Sequence, residues 1–193
     1  MKKFFTLFTI VFFACGVSLF AQNFAKKGTI ELGGSVGFTS TTIVFDGESA
    51  DESISTFFFN PYFGYFFMNS FEVGIIPIFS TTSAGDQSQS SFGILLAPAY
   101  NFDLGNCWYP FIEGRVGYNS SSYDDGNDLT EDPSSSGLQW GFRGGVKAQV
   151  GNNALVNIGL FYSNVTMDPD GWDGDRIGYN QFGLEVGVAI FLY

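Results

Sequence analysis

Seven charged side chains hold most of the chemistry open to this sequence: Glu31, Glu72, Glu113, Arg115, Arg143, Lys147 and Glu185. Only 14% of the residues are charged, and these seven stand in apolar, glycine-rich stretches. Carboxylates held in pairs can trade protons as general acid and base. Carboxylates held against guanidinium and ammonium groups form an ion-pair network instead, because an isolated buried charge is too costly to keep. Such a network either rigidifies and plugs an interior or gates a narrow pore through it. No nucleophile stands beside a base, and the sequence has no histidine, which removes the commonest general base and every Ser–His arrangement. Neither a catalytic residue nor a cofactor is expected.

A second group of carboxylates is acidic and loop-like. Asp46, Glu48, Asp51 and Glu52 form one stretch, and Asp124, Asp125, Asp128, Glu131 and Asp132 form another. A third reads Asp168-Pro-Asp-Gly-Trp-Asp-Gly-Asp175. Clustered carboxylates suit hard cations, so Asp168, Asp170, Asp173 and Asp175 are a weak metal candidate. The EF-hand pattern fails, since Trp172 occupies a ligand position and no distal Glu follows. Diffuse binding of divalent cations to an acidic surface is the plainer reading.

The elements that position these groups are strands. In the final twelve residues, Phe182, Leu184, Val186, Val188, Ile190 and Leu192 alternate with Gly183, Glu185, Gly187, Ala189, Phe191 and Tyr193. That period of two marks a β-strand, long enough for a tilted membrane crossing of about 9–11 residues. Seven earlier segments alternate likewise, at about 28–39, 55–67, 71–80, 91–102, 108–119, 138–150 and 155–164. Links 68–70, 103–107 and 151–154 are tight, while 40–54, 81–90, 120–137 and 165–177 are long. Strict alternation of short and long links puts all the long ones at one end of an up-and-down meander. The fold class is therefore all-β, an eight-stranded antiparallel up-and-down transmembrane β-barrel.

Parity supports a lipid-facing exterior. The apolar faces carry no charge, and all seven charged residues named above fall on the opposite faces. A lysine or arginine at the bilayer midplane costs about 2–4 kcal/mol. A soluble barrel would invert the faces and dot its exterior with Lys and Glu. Here the polar faces are mainly Gly, Ser, Asn and Gln, as a narrow lumen requires. Trp108, Tyr118, Trp140, Tyr162 and Tyr193 sit towards strand ends, where interfacial aromatic girdles belong. Pro61, Pro77, Pro98 and Pro110 interrupt strand segments; the last two fall near strand ends, and the first two imply bulges or unpaired carbonyls.

The beginning of the chain reads as an export signal. Lys2 and Lys3 precede an apolar run from Phe4 to Phe13, and Ser18-Leu-Phe-Ala21 offers a cleavage point. Domains are thus expected as 1–21, signal peptide, and 22–193, barrel. Cleavage removes those two lysines, so the net charge of −11 falls by two to −13. That charge argues against nucleic acid as a partner. Of the two cysteines only Cys107 survives cleavage, so no intrachain disulfide is expected.

The run Asn60-Pro-Tyr-Phe-Gly-Tyr-Phe-Phe-Met-Asn-Ser-Phe-Glu-Val-Gly74 resembles a hairpin common in small bacterial outer-membrane β-barrel proteins. Tyr109-Pro-Phe-Ile-Glu-Gly-Arg-Val-Gly-Tyr118 and the strand holding Glu185-Val-Gly187 are similar to later strands of that family. The resemblance covers residues 28–193 and extends to the OmpA membrane domain and OmpX-like barrels. It implies eight antiparallel strands in the outer membrane of a Gram-negative-type bacterium. It also implies partners: membrane lipid and lipopolysaccharide, with periplasmic chaperones and the barrel-assembly machinery reading the C-terminal strand. An extracellular partner engaging the acidic loops is a further expectation. The motifs specify a barrel and leave its role open. The leading reading is a structural or adhesion-like protein with a plugged lumen; a narrow porin-like channel is the alternative, and a lipid-modifying enzyme a distant one.

Overall fold

Alternating large apolar and small or polar side chains decide which side of each strand can meet lipid, and the backbone follows that division. The computed structural model describes residues 24–45, 48–84, 87–105, 107–124, 134–169 and 177–193. They form β1 (Ile30–Phe45), β2 (Glu48–Met68), β3 (Phe71–Ala84), β4 (Gln87–Asn101), β5 (Trp108–Asp124), β6 (Ser134–Gln149), β7 (Ala154–Pro169) and β8 (Ile177–Leu192). Each strand pairs antiparallel with its sequence neighbours, and β8 returns to β1 to close the barrel. Closure leaves no unpaired edge, which is the condition for β-structure in lipid.

The outer face is apolar where the sequence pattern requires it. Phe63, Ile75, Leu96, Ile112, Val116, Leu160, Leu184 and Val188 all stand exposed on it. Above them runs an aromatic band in which Phe79 meets Phe92 at 5.2 Å and Trp140 meets Tyr162 at 5.9 Å between ring centroids. At the other end Phe71, Tyr100 and Phe102 form a second band, with centroid spacings of 4.8 and 4.7 Å.

The strands run further than apolar alternation shows. β5 and β6 stay paired through Ser122–Ser134, and β3 with β4 through Ala84–Gln87. Only 46–47 and 85–86 then join the first two hairpins at that end, shorter than the 102–107 link at the other. The strict short–long alternation of links is therefore corrected: the extra length lies in the strands. Ser and Thr side chains give no amphipathic signal, yet they zip the extensions together, as Thr56 Oγ1 with Thr82 Oγ1 at 2.9 Å and Ser121 Oγ with Ser135 Oγ at 3.0 Å. Glu48, Asp51 and Glu52 accordingly lie in β2, Asp124 ends β5, and Asp168 lies in β7.

Prolines leave the register intact. The pairs Phe59–Phe79 and Phe63–Ile75 share one register, so Pro61 falls opposite Pro77 inside a single break of the β2–β3 ladder. Two missing donors thus share one gap, and of the two expectations for these prolines, a bulge or unpaired carbonyls, the ladder shows the break without a bulge. The bulges sit elsewhere, between Phe66 and Met68 and between Thr42 and Val44. Pro98 and Pro110 lie within three residues of strand ends.

The membrane-facing assignment makes a sharp prediction. Leu96→Lys, in the apolar belt between Ile75 and Val116, is expected to cost about 2–4 kcal/mol of stability in lipid. Ser120→Lys, exposed on the same face opposite Phe92 of the aromatic band, is expected to cost about 0–1 kcal/mol. Urea unfolding in vesicles, read by gel mobility, checks both; equal costs would contradict the placement of the belt.

Candidate functional site in the barrel lumen

Eight strands leave an interior only wide enough for packed side chains or one small ligand, so where the lumen is packed each large inward group needs a small one beside it. Tyr62 lies against Gly74, where an added Cβ would come within 2.6 Å of its ring. Gly159 makes the same room for Arg143, and Gly183 for Phe161. The glycines of the Asn60–Gly74 hairpin thus serve to admit Tyr62 and the Glu72 carboxylate beside it.

The lumen is layered. At the end with the 69–70, 102–107 and 150–153 links, an apolar layer contains Phe24, Phe66, Tyr109, Leu155 and Phe191, all buried. Phe24 precedes β1 and packs its ring against Tyr109 at 4.5 Å, Phe66 at 5.4 Å and Phe191 at 5.7 Å. Ser70 N donates to Ala25 O at 2.8 Å and Gly28 N to Phe66 O at 2.7 Å, which ties this segment across the barrel mouth. Sequence reasoning missed Phe24, because it belongs to no periodic element. Its signal was only an apolar residue stranded between Asn23 and Lys26-Lys27.

Above that layer the seven charged residues form two groups. Lys147 Nζ donates to Glu31 Oε2 at 2.6 Å and to Glu72 Oε2 at 3.0 Å. Asn101 Nδ2 also donates to Glu72 Oε2, at 3.1 Å. The ammonium lies over the rings of Phe24, Tyr62 and Phe111 at 5.4 to 5.6 Å. These aromatic faces take up charge that water would otherwise solvate. One cation therefore serves two carboxylates from strands β1 and β3.

The second group holds two cations and two carboxylates. Arg115 Nε donates to Glu113 Oε1 at 2.7 Å, while its Nη1 donates to Glu185 Oε2 at 3.0 Å. Arg115 Nη2 reaches Glu185 Oε1 at 3.3 Å, so one face of the guanidinium engages Glu185 in a bidentate pair. Ser35 Oγ donates to Glu185 Oε1 as well. Arg143 Nη2 donates to Asn157 Oδ1 at 2.5 Å, and Arg143 Nε stands 3.8 Å from Glu185 Oε2. The guanidinium of Arg143 also covers the Phe111 ring at 5.0 Å. Chemically, both groups are paired acids and bases without a nucleophile or substrate cleft among them, although Glu72 Oε1 and Arg143 Nε are buried and make no hydrogen bond.

The space left between these side chains is about 20 Å³, lined by members of both groups and by Asn60, Tyr62 and Asn157. Beyond it the lumen widens into a cup of about 390 Å³. Of the weak metal candidate only one member lies among the described residues. Asp168 lies in β7 and its companions Asp170, Asp173 and Asp175 lie outside the described residues, as do Asp46, Asp125, Asp128, Glu131, Asp132 and the expected signal segment 1–21.

No protein-family model and no curated protein matches the chain. Among solved structures, the crystal structure of Neisserial surface protein A is similar with a TM-score of 0.64 and 18% identity, covering 85% of this chain and 97% of that one. The outer-membrane protein OprG of Pseudomonas aeruginosa is similar with a TM-score of 0.53 and 14% identity, covering 87% and 97%. The fold is that of the small eight-stranded outer-membrane barrels. At these identities the likeness speaks for architecture alone, and the layered lumen is a property of this chain's own residues.

Lys147 is the most exposed point of this arrangement to mutation. Lys147→Met leaves Glu31 and Glu72 buried without their cation and is expected to cost about 3–5 kcal/mol. Adding Glu31→Gln and Glu72→Gln is expected to recover most of that loss. Urea midpoints of the single and triple variants in vesicles check it; a single variant as stable as the parent would show the trio to be energetically idle.

Proposed function

We propose that the chain is a non-enzymatic outer-membrane barrel with a closed lumen, acting at the cell surface through the segments that join its long strand extensions. The observation that carries this reading is the stack formed by the Phe24 layer and two ion-pair groups, with only about 20 Å³ between the charged side chains. A hydrated ion needs a continuous water path, and closely packed ion pairs held over aromatic rings oppose one. The apolar exterior with its two aromatic bands supports residence in a bilayer. Export by the 1–21 signal, and assembly through the β8 strand by periplasmic chaperones and the barrel machinery, complete the proposal. Lipid and lipopolysaccharide are then its surroundings, and an extracellular partner meets the acidic segments.

A narrow channel is the competing reading. One observation favours it: the polar cup ends on Arg115 and Glu185, placing charge where an ion would enter.

Planar-bilayer recording with refolded mature protein, its barrel confirmed by heat-shifted gel mobility, separates the two. A silent membrane is expected from the parent and from Arg143→Ala. Uniform conductance steps that change size in Arg143→Ala would make the lumen a pore. Deleting 125–133 is expected to leave the barrel folded and to abolish binding of cells to the protein's bacterial host surface.

A further inference from the structure

The cup above the ion pairs has a chemistry unlike the rest of the molecule. One wall is a relay of amides and hydroxyls: Asn119 Nδ2 donates to Gln139 Oε1 at 2.9 Å, and Gln139 Nε2 donates to Ser163 Oγ at 2.9 Å. Further up, Gln89 Nε2 donates to Ser121 Oγ at 3.1 Å. Across the cup Thr56 and Thr82 add hydroxyls. The oxygens Asn60 Oδ1 and Asn119 Oδ1 are buried and accept from no protein donor. Uncompensated acceptors of this kind call for a partner.

Two aromatic rings also line it. Phe58 and Phe161 meet edge to face, with centroids 6.2 Å apart, and both remain partly exposed to the cup. The charged members of the lining are Arg115 and Glu185, which neutralise each other at 3.0 Å. Among the described residues the net charge at the wall is therefore zero. An ion finds no surplus of opposite charge on these walls, and a lipid tail would leave Asn60 Oδ1 and Asn119 Oδ1 without a donor, at a cost of about 1–3 kcal/mol each.

We propose that this cup binds a neutral polyhydroxylated solute, a sugar of one or two rings. Alternating hydroxyls match side-chain amides that both donate and accept, and the C–H face of a pyranose covers apolar ring surface that water solvates poorly. A volume of about 390 Å³ lies at the small end of ligand pockets. The inference goes beyond the closed-lumen reading: a cup holds its ligand whether or not its floor leaks.

The probes are glucose and maltose, titrated into the refolded mature protein in phospholipid nanodiscs free of sugar detergents. Side-chain amide signals of Asn119 and Gln139 are followed by nuclear magnetic resonance. Saturable shifts with either sugar are expected, weakened at least about tenfold in Gln139→Leu. Thr56→Trp, which fills the cup without touching the relay, is expected to abolish them and stands in should Gln139→Leu fail to fold. No saturable shift with either sugar would overturn the proposal. So would equal shifts in Thr56→Trp, or the same shifts from potassium chloride alone. A barrel that conducts yet binds maltose would refute the closed lumen and leave the cup standing.

Discussion

Every backbone amide within lipid must find a partner inside the protein, and in this chain that demand is met by closing β1 onto β8. With eight strands, closure leaves a bore narrow enough that side chains or one small ligand fill it. From that bore follow the glycines facing Tyr62, Arg143 and Phe161, since two large groups at one level would collide. The pairing of charges follows too: a carboxylate forced inward among aromatic rings is tolerable only with a cation at contact distance. Glu31, Glu72 and Lys147 are consequences of the exterior as much as features of the interior.

The layering turns a uniform tube into a polarised one. One end is dry and aromatic, the middle is ionic, and the other end is lined by amides and hydroxyls. Each layer limits what the next can do. The Phe24 layer keeps water from Lys147 and so strengthens its pairs. The neutral Arg115–Glu185 pair forms a floor whose charges are already spent, which leaves recognition to the neutral groups above.

Much of this was legible in the sequence, for a physical reason. A misplaced charge on the lipid face is expensive, so parity had to be clean, and it assigned both the outward residues and the inward charged set. What parity cannot give is height. Whether Glu113 meets Arg115 or Lys147 depends on strand tilt and stagger, so two separate groups could not be told from one network. The strand tops were missed because Ser121, Ser135 and Thr82 alternate with equally polar outward neighbours, Ser120, Ser136 and Thr81, so no apolar face marks them. Phe24 was missed because its burial depends on the turn at Asn69–Ser70, which donates from Ser70 N to Ala25 O. The prolines taught a smaller lesson: Pro61 and Pro77 are tolerable because antiparallel register sets them face to face.

The seam between β1 and β8 is the briefest in the barrel, with seven paired positions from Ile30–Leu192 to Val36–Val186, against fifteen between β5 and β6. Glu185 sits one residue beyond its last pair and accepts from Ser35 across it, while Arg115 holds the same carboxylate from β5. A sheet not yet closed therefore carries a carboxylate whose partners are incomplete, in surroundings that punish it. Docking of β8 supplies the missing contacts at one stroke. Half-closed forms are disfavoured from both sides, and assembly becomes a cooperative event in which the last strand commits all the others.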